Sequence, residues 1–173
     1  KHKHESGGEN SNAVVGGKVI DSGGYGCIFK PALKCNTPNK SRHNEKEITK
    51  LMLSHHAKNE YNEIVKYKDM LESIPNYSDY YLLDGITLCE PSKLTDADLN
   101  HYRRKCRALN KRGITEANVN RQLDKLLALN IPDGGLDIGN FLKSIKPLSA
   151  KHRASILVQL NKSLIDLLNN GIV

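Results

Sequence analysis

The sequence predicts an α+β protein, with an antiparallel sheet that carries one main helix and then a Pro/Gly-rich bend leading into further helices. Three observations predict it. Short β-prone apolar pieces alternate with glycine pairs over residues 13–34, the punctuation of strand, turn and strand. Apolar residues recur at spacings of three and four over 55–73, through Ala57, Tyr61, Ile64 and Leu71, which is the period of an amphipathic helix. Pro132-Asp133-Gly134-Gly135 is the strongest turn in the chain, and a second apolar stripe (Ile156, Leu157, Leu160, Leu164, Leu167, Leu168) follows it over 149–169.

The elements follow in order. Residues 1–12 are polar, charged and glycine-bearing and read as a disordered lead. Pieces at 13–15, 18–20 and 27–29, separated by Gly16-Gly17 and Ser22-Gly23-Gly24, make a hairpin with a glycine-rich tip. A polar loop at 35–46 leads to a third strand over 47–53, and Pro75 stops the helix that follows it. Residues 80–89 predict one or two short strands broken at Asp84-Gly85. Thr95 with Asp98 forms a capping-box pattern that opens a basic helix through about Leu109, with Gly113 as its stop. A second helical segment runs from about Thr115 toward Leu123. The apolar run 125–131 reads as a buried strand, although its periodicity also fits a buried helix. A short helix at 137–143 and the long one at 149–169, stopped by Gly171, complete the chain. The resulting organisation is a lead (1–12), a sheet-bearing part (13–131) with a basic helical insertion at about 95–123, and a bend with its helices (132–173).

Composition excludes several function classes. At 173 residues the chain is about one domain. The absence of Trp, with only two Phe, argues against a base-stacking surface. No run approaches the roughly 18 apolar residues of a membrane span. The chain begins at Lys1 with no apolar signal core, so its start reads as internal, processed or added. Cys27, Cys35, Cys89 and Cys106 show no zinc-site spacing. They predict four free thiols in an intracellular, reducing compartment. His55 and His56 are adjacent and read as solvated rather than chelating.

The chemistry concentrates in 17–30, GKVIDSGGYGCIFK. A glycine-rich tip between two strands lets backbone N–H groups approach a polyphosphate without obstruction by Cβ. Gly23, Gly24, Tyr25 and Gly26 preserve the second and third glycines of the protein-kinase loop G-x-G-x-x-G-x-V, with Ile28 at its apolar position and Ser22 alongside. Asp21 replaces the first glycine. A kinase also needs a lysine on the third strand and a glutamate on the next helix to orient it. Lys50 and Glu60 fit, with Glu63 as the competitor; Glu60 is preferred because Ile64 lies four residues on, on the same face toward the sheet.

SGGYGCIFKPALKC, ITKLM, AKNEYNEI and NIPDGGLDIGNFL together resemble the protein kinases encoded by large nucleocytoplasmic DNA viruses of the mimivirus type, over roughly 17–173. The resemblance implies a protein-kinase-like N-lobe joined by a hinge to the first helices of a C-lobe. It places Leu129 at the gatekeeper position, Asn130, Ile131, Pro132 and Asp133 at the hinge, and Asp137 near the ribose. It implies ATP as ligand, a protein Ser/Thr hydroxyl as acceptor, and host cytoplasm or virion as location. Residues 149–171 match the helix that precedes the catalytic loop. The catalytic Asp and the Mg²⁺ ligands of the family are thus expected downstream of Val173, leaving this stretch inactive by itself.

One feature lies outside that scheme. Arg103, Arg104, Lys105, Arg107, Lys111 and Arg112 put six positive charges into ten residues of a chain with net charge +7. They read either as a solvated face or as a footprint for an anionic partner. The alternative function is therefore a non-catalytic basic module, pseudokinase-like or nucleic-acid-binding.

Overall fold

The computed structural model describes residues 17–36, 46–144 and 148–171. The expected lead, the strand piece at 13–15 and most of the polar loop at 35–46 lie outside them. Five strands, β1 (Lys18–Ser22), β2 (Gly26–Lys30), β3 (Glu47–Leu53), β4 (Thr87–Cys89) and β5 (Leu126–Pro132), form one sheet in the order β1-β2-β3-β5-β4. Every neighbouring pair is antiparallel. The one long helix of this part, α1 (Ser54–Leu71), leaves β3 directly and crosses the sheet. The fold is thus α+β and compatible with a kinase-like N-lobe.

Strand alternation builds two cores. Successive side chains of a strand point to opposite faces, so β3 sends Leu51 to one side and Met52 to the other. Met52 and Leu129 pack with Ala57 of α1, flanked by Tyr61 and Ile64. Val19, Cys27, Phe29, Leu51, Leu126 and Ala128 instead meet the segment between β4 and β5, which supplies Tyr102, Cys106, Ala108 and Leu109. A buried polar thread stitches this second side, with the Leu33 N–H donating to Thr49 Oγ1 (2.7 Å) and that hydroxyl to Asn130 Oδ1 (2.5 Å).

The insertion departs from the single basic helix expected. It forms three four-residue helices, α2 (Asp96–Leu99), α3 (Tyr102–Lys105) and α4 (Arg107–Asn110). The Thr95–Asp98 capping box is present as expected. His101 then adopts a left-handed conformation (φ 65°), and Cys106 leaves the helical region where it bonds to Cys27. From 115 onward there are only 3₁₀ turns at Val119–Arg121 and Leu123–Lys125. Asn120 ties them back by pairing both backbone groups of Leu94 (2.8 and 2.9 Å).

Two further expectations are corrected. The cysteines are not free thiols: Cys27–Cys106 and Cys35–Cys89 are disulfides, so the argument from thiols to a reducing compartment falls. Of residues 80–89 only Thr87–Cys89 is strand. Tyr80 and Tyr81 instead serve the last helix, where Lys162 lies over the Tyr80 ring and the Tyr81 hydroxyl donates to the Ser163 carbonyl (2.9 Å).

After β5 come α5 (Ile138–Ser144) and α6 (Ala150–Asn169), the latter N-capped by Ser149. Gly113, Gly135 and Gly171 take the positive φ that their stop and turn positions require. The stripe of α6 is exposed at Leu157, Leu164 and Leu168. No helix among the described residues is long and apolar enough to cross a membrane.

Candidate functional site

Lys50 stands in the middle of the sheet, in register with Ile28 on one side and Leu129 on the other. On that face α1 lies opposite, and Glu60 on its second turn meets the lysine. Lys50 Nζ donates to Glu60 Oε1 (2.6 Å) and Oε2 (2.5 Å). Both side chains keep partial exposure, 20% and 31%, so the pair borders open space rather than sealing a core. Glu63 is exposed, and Glu60 takes the position expected of it.

Earlier in the chain is the β1–β2 tip. The Gly23 N–H donates to the Gly26 carbonyl (3.0 Å) and closes the turn. Its three glycines have different reasons. A Cβ on Gly26 would collide with Met52 Cγ and come within 2.6 Å of the Leu51 carbonyl oxygen, so close strand packing demands glycine there. A Cβ on Gly24 would meet nothing within 4 Å, and one on Gly23 only the Gly26 oxygen at 4.0 Å. Neither takes a positive φ. The fold leaves their lack of a side chain unexplained, whereas a ligand seated against the backbone would explain it.

Accordingly Gly26→Ala is expected to cost about 1–3 kcal/mol by overpacking. Gly24→Ala should leave the thermal midpoint within about 1 °C, since surface substitutions away from special features cost little. Melting curves of the two variants check this, and equal losses would refute the distinction.

The tip is also anchored. Ser22 Oγ accepts the Ala108 N–H (2.9 Å) and lies 3.3 Å from the Gly26 carbonyl, to which it donates. Cys27, next to Gly26, carries the disulfide to Cys106. Tyr25 packs on His56 with ring centroids 4.4 Å apart, and the Arg112 guanidinium lies 5.9 Å from the tyrosine centroid. His56 is therefore half-buried rather than solvated, and its ring contacts that of His55 at 3.9 Å. Desolvation, then the charges of His55 and Arg112, hold its pKa below the ordinary histidine value. Sequence reasoning missed this cluster, whose one local signal was an exposed tyrosine at a glycine-rich tip.

The bend after β5 is more committed than expected. Leu129 is fully buried, and Ile131 packs partly against the α1 side. The Asn130 side chain points to the other face, held by Thr49 and within 3.5 Å of Cys35 Sγ. Its backbone lies in the sheet between Thr49 of β3 and Thr87 of β4, so Asn130 offers a ligand neither its side chain nor its main chain. Pro132 has no N–H to offer, and the Asp133 N–H donates to the Lys46 carbonyl (2.8 Å). The Asp133 carboxylate pairs with Lys30 and accepts the Gly135 N–H (3.1 Å). Those two contacts, Lys30 first, hold its pKa below the usual carboxylate value. Asp137 is an N-cap: its oxygens accept from the Asn140 backbone (2.9 Å) and side-chain amide (2.6 Å), which also lower its pKa.

No group of three or more potential metal ligands occurs among the described residues. Glu60 commits both oxygens to Lys50, so these residues do not fit a Mg²⁺ cage. A cavity of about 530 Å³ lies elsewhere, lined by Ser54, Lys58, Glu90, Lys93 and Asp124 among others; it includes neither Lys50 nor the glycine-rich tip. No family profile, curated protein or solved structure matches the chain.

Proposed function

We propose that this chain is the ATP-binding part of a protein kinase, a transferase that moves the γ-phosphoryl group of ATP to a protein Ser/Thr hydroxyl. The observation that carries the proposal is the Lys50–Glu60 pair, a strand lysine held by a helix glutamate. It is supported by a glycine-rich tip whose Gly23 and Gly24 the fold does not require. In this reading backbone N–H groups of the tip lie against the phosphates. Lys50, oriented by Glu60, neutralises the α- and β-phosphates, while Ile28 walls the base and the bend after Ile131 borders its edge. Such residues contribute positioning and charge rather than covalent chemistry.

Titration with a fluorescent ATP analogue tests the reading. Lys50→Met is expected to weaken binding at least about tenfold, or about 1.4 kcal/mol. Gly24→Ala should also weaken it with an unchanged melting midpoint. Undiminished affinity in both variants would refute the proposal. The non-catalytic basic module would then be the better reading, favoured by the charge run from Arg103 to Arg112.

A further inference from the structure

Between Leu99 and Leu123 the chain carries seven Lys/Arg against the single acid Glu116, against a net charge of +7 for the whole sequence. Among the described residues the ion pairs are those of Lys30, Lys50 and Lys68. None of the insertion's cations takes part, and Arg103, Arg104, Arg107, Lys111 and Arg112 are exposed. Crowding like charges without counter-charges is unfavourable in the free protein. The field is felt locally: desolvation first, then Arg104, Lys105 and Lys18, lower the pKa of His101.

These cations are displayed on a fixed surface rather than on a tail. Tyr102, Cys106, Ala108 and Leu109 of the same short helices are buried against the sheet, and Cys106 is bonded to Cys27. The surface begins at the glycine-rich tip, where the Ala108 N–H reaches Ser22 and Arg112 lies over Tyr25.

We propose that this basic surface docks an acidic stretch of the protein whose hydroxyl is presented at the glycine-rich tip. The hydroxyl's role rests on the kinase reading, but the docking surface stands on its own charges. An acidic peptide fits better than a nucleic acid. Single strands are held by several exposed aromatic rings in a row, whereas the ring of Tyr102 is fully buried and the exposed Tyr25, flanked by His56 and Arg112, is a single ring. Four-residue helices are also too short to lie along a major groove as recognition helices do. The partner is recognised by carboxylates, with guanidinium groups able to take them in bidentate fashion.

Fluorescence anisotropy tests this with a labelled peptide bearing one Ser followed by a run of Asp and Glu. An Asn/Gln counterpart and labelled single-stranded and duplex DNA serve as comparison probes. The acidic peptide is expected to bind, more weakly as salt rises, while its neutral counterpart does not. Arg103→Glu with Arg104→Glu and Arg107→Glu should weaken it at least about tenfold without lowering the melting midpoint or changing the affinity for the ATP analogue. Lys50→Met should leave peptide affinity unchanged. Absence of acidic-peptide binding, equal binding by the triple variant, or DNA binding at least about tenfold tighter than the peptide would overturn the proposal. An ATP analogue indifferent to both Lys50→Met and Gly24→Ala would instead overturn the kinase reading and leave the peptide result standing.

Discussion

Replacing Cys27 and Cys106 together by serine is expected to lower the unfolding free energy by about 2–5 kcal/mol. The bond joins residues 79 apart in sequence, so losing it returns a long loop to the unfolded ensemble, where closure entropy grows with the logarithm of loop length. Both positions are fully buried, and two serine hydroxyls there need hydrogen-bond partners that the apolar surroundings provide poorly. Cys35–Cys89 spans 54 residues wholly within the first loop, so the first bond already restrains its ends, and its removal should cost more once Cys27–Cys106 is gone than its removal alone. Urea midpoints of the wild type, the two double variants and the quadruple variant, with and without a dithiol reductant, measure this. A reductant that leaves the wild-type midpoint unmoved would show the thiols unpaired and restore the free-thiol expectation. Loss of Cys27–Cys106 also frees the insertion beside Gly26, so affinity for the acidic peptide should fall with it.

The elements that the sequence predicts well are those whose signals are local. Strand β3 falls on its expected residues, and α1 lies within two residues of the periodic stretch through Ala57, Tyr61 and Ile64. The choice of Glu60 over Glu63 followed from helical phase alone, because Ile64 four residues on must face the sheet. What was not legible depends on distant partners. Cysteine spacing does not encode pairing, and Cys27 meets Cys106 only because the insertion folds back over β2. The basic segment has the composition of one helix, but burial of Tyr102 and Leu109 overrides propensity and breaks it at His101 and Cys106. Tyr80 and Tyr81 have strand-like composition, yet their contacts lie on α6. Asp137 did carry a local signal, since an acid just before a helix is an N-cap pattern.

Tyr102→Ala is expected to cost about 3–5 kcal/mol, the range for truncating a large buried aromatic side chain. Tyr102 heads the fully buried side chains, with its ring centroid 6.4 Å from that of Phe29 on β2. Its hydroxyl donates to the Ile114 carbonyl (3.2 Å), and burial holds its pKa far above the ordinary tyrosine value. It therefore stays a neutral donor throughout the working pH range. Tyr102→Phe keeps the ring and removes that donor, so its cost should be about 1–3 kcal/mol, the penalty for a buried carbonyl left without a partner. Hydrogen exchange on Tyr102→Ala then separates two architectures. If the insertion were an appendage, protection would fall over 95–125 alone and β1 to β3 would keep theirs. Because Val19, Phe29 and Leu51 share one core with Tyr102, Leu109 and Val119, protection is expected to fall in β1, β2 and β3 as well. Such a result would make the glycine-rich tip and the basic surface parts of one cooperative unit.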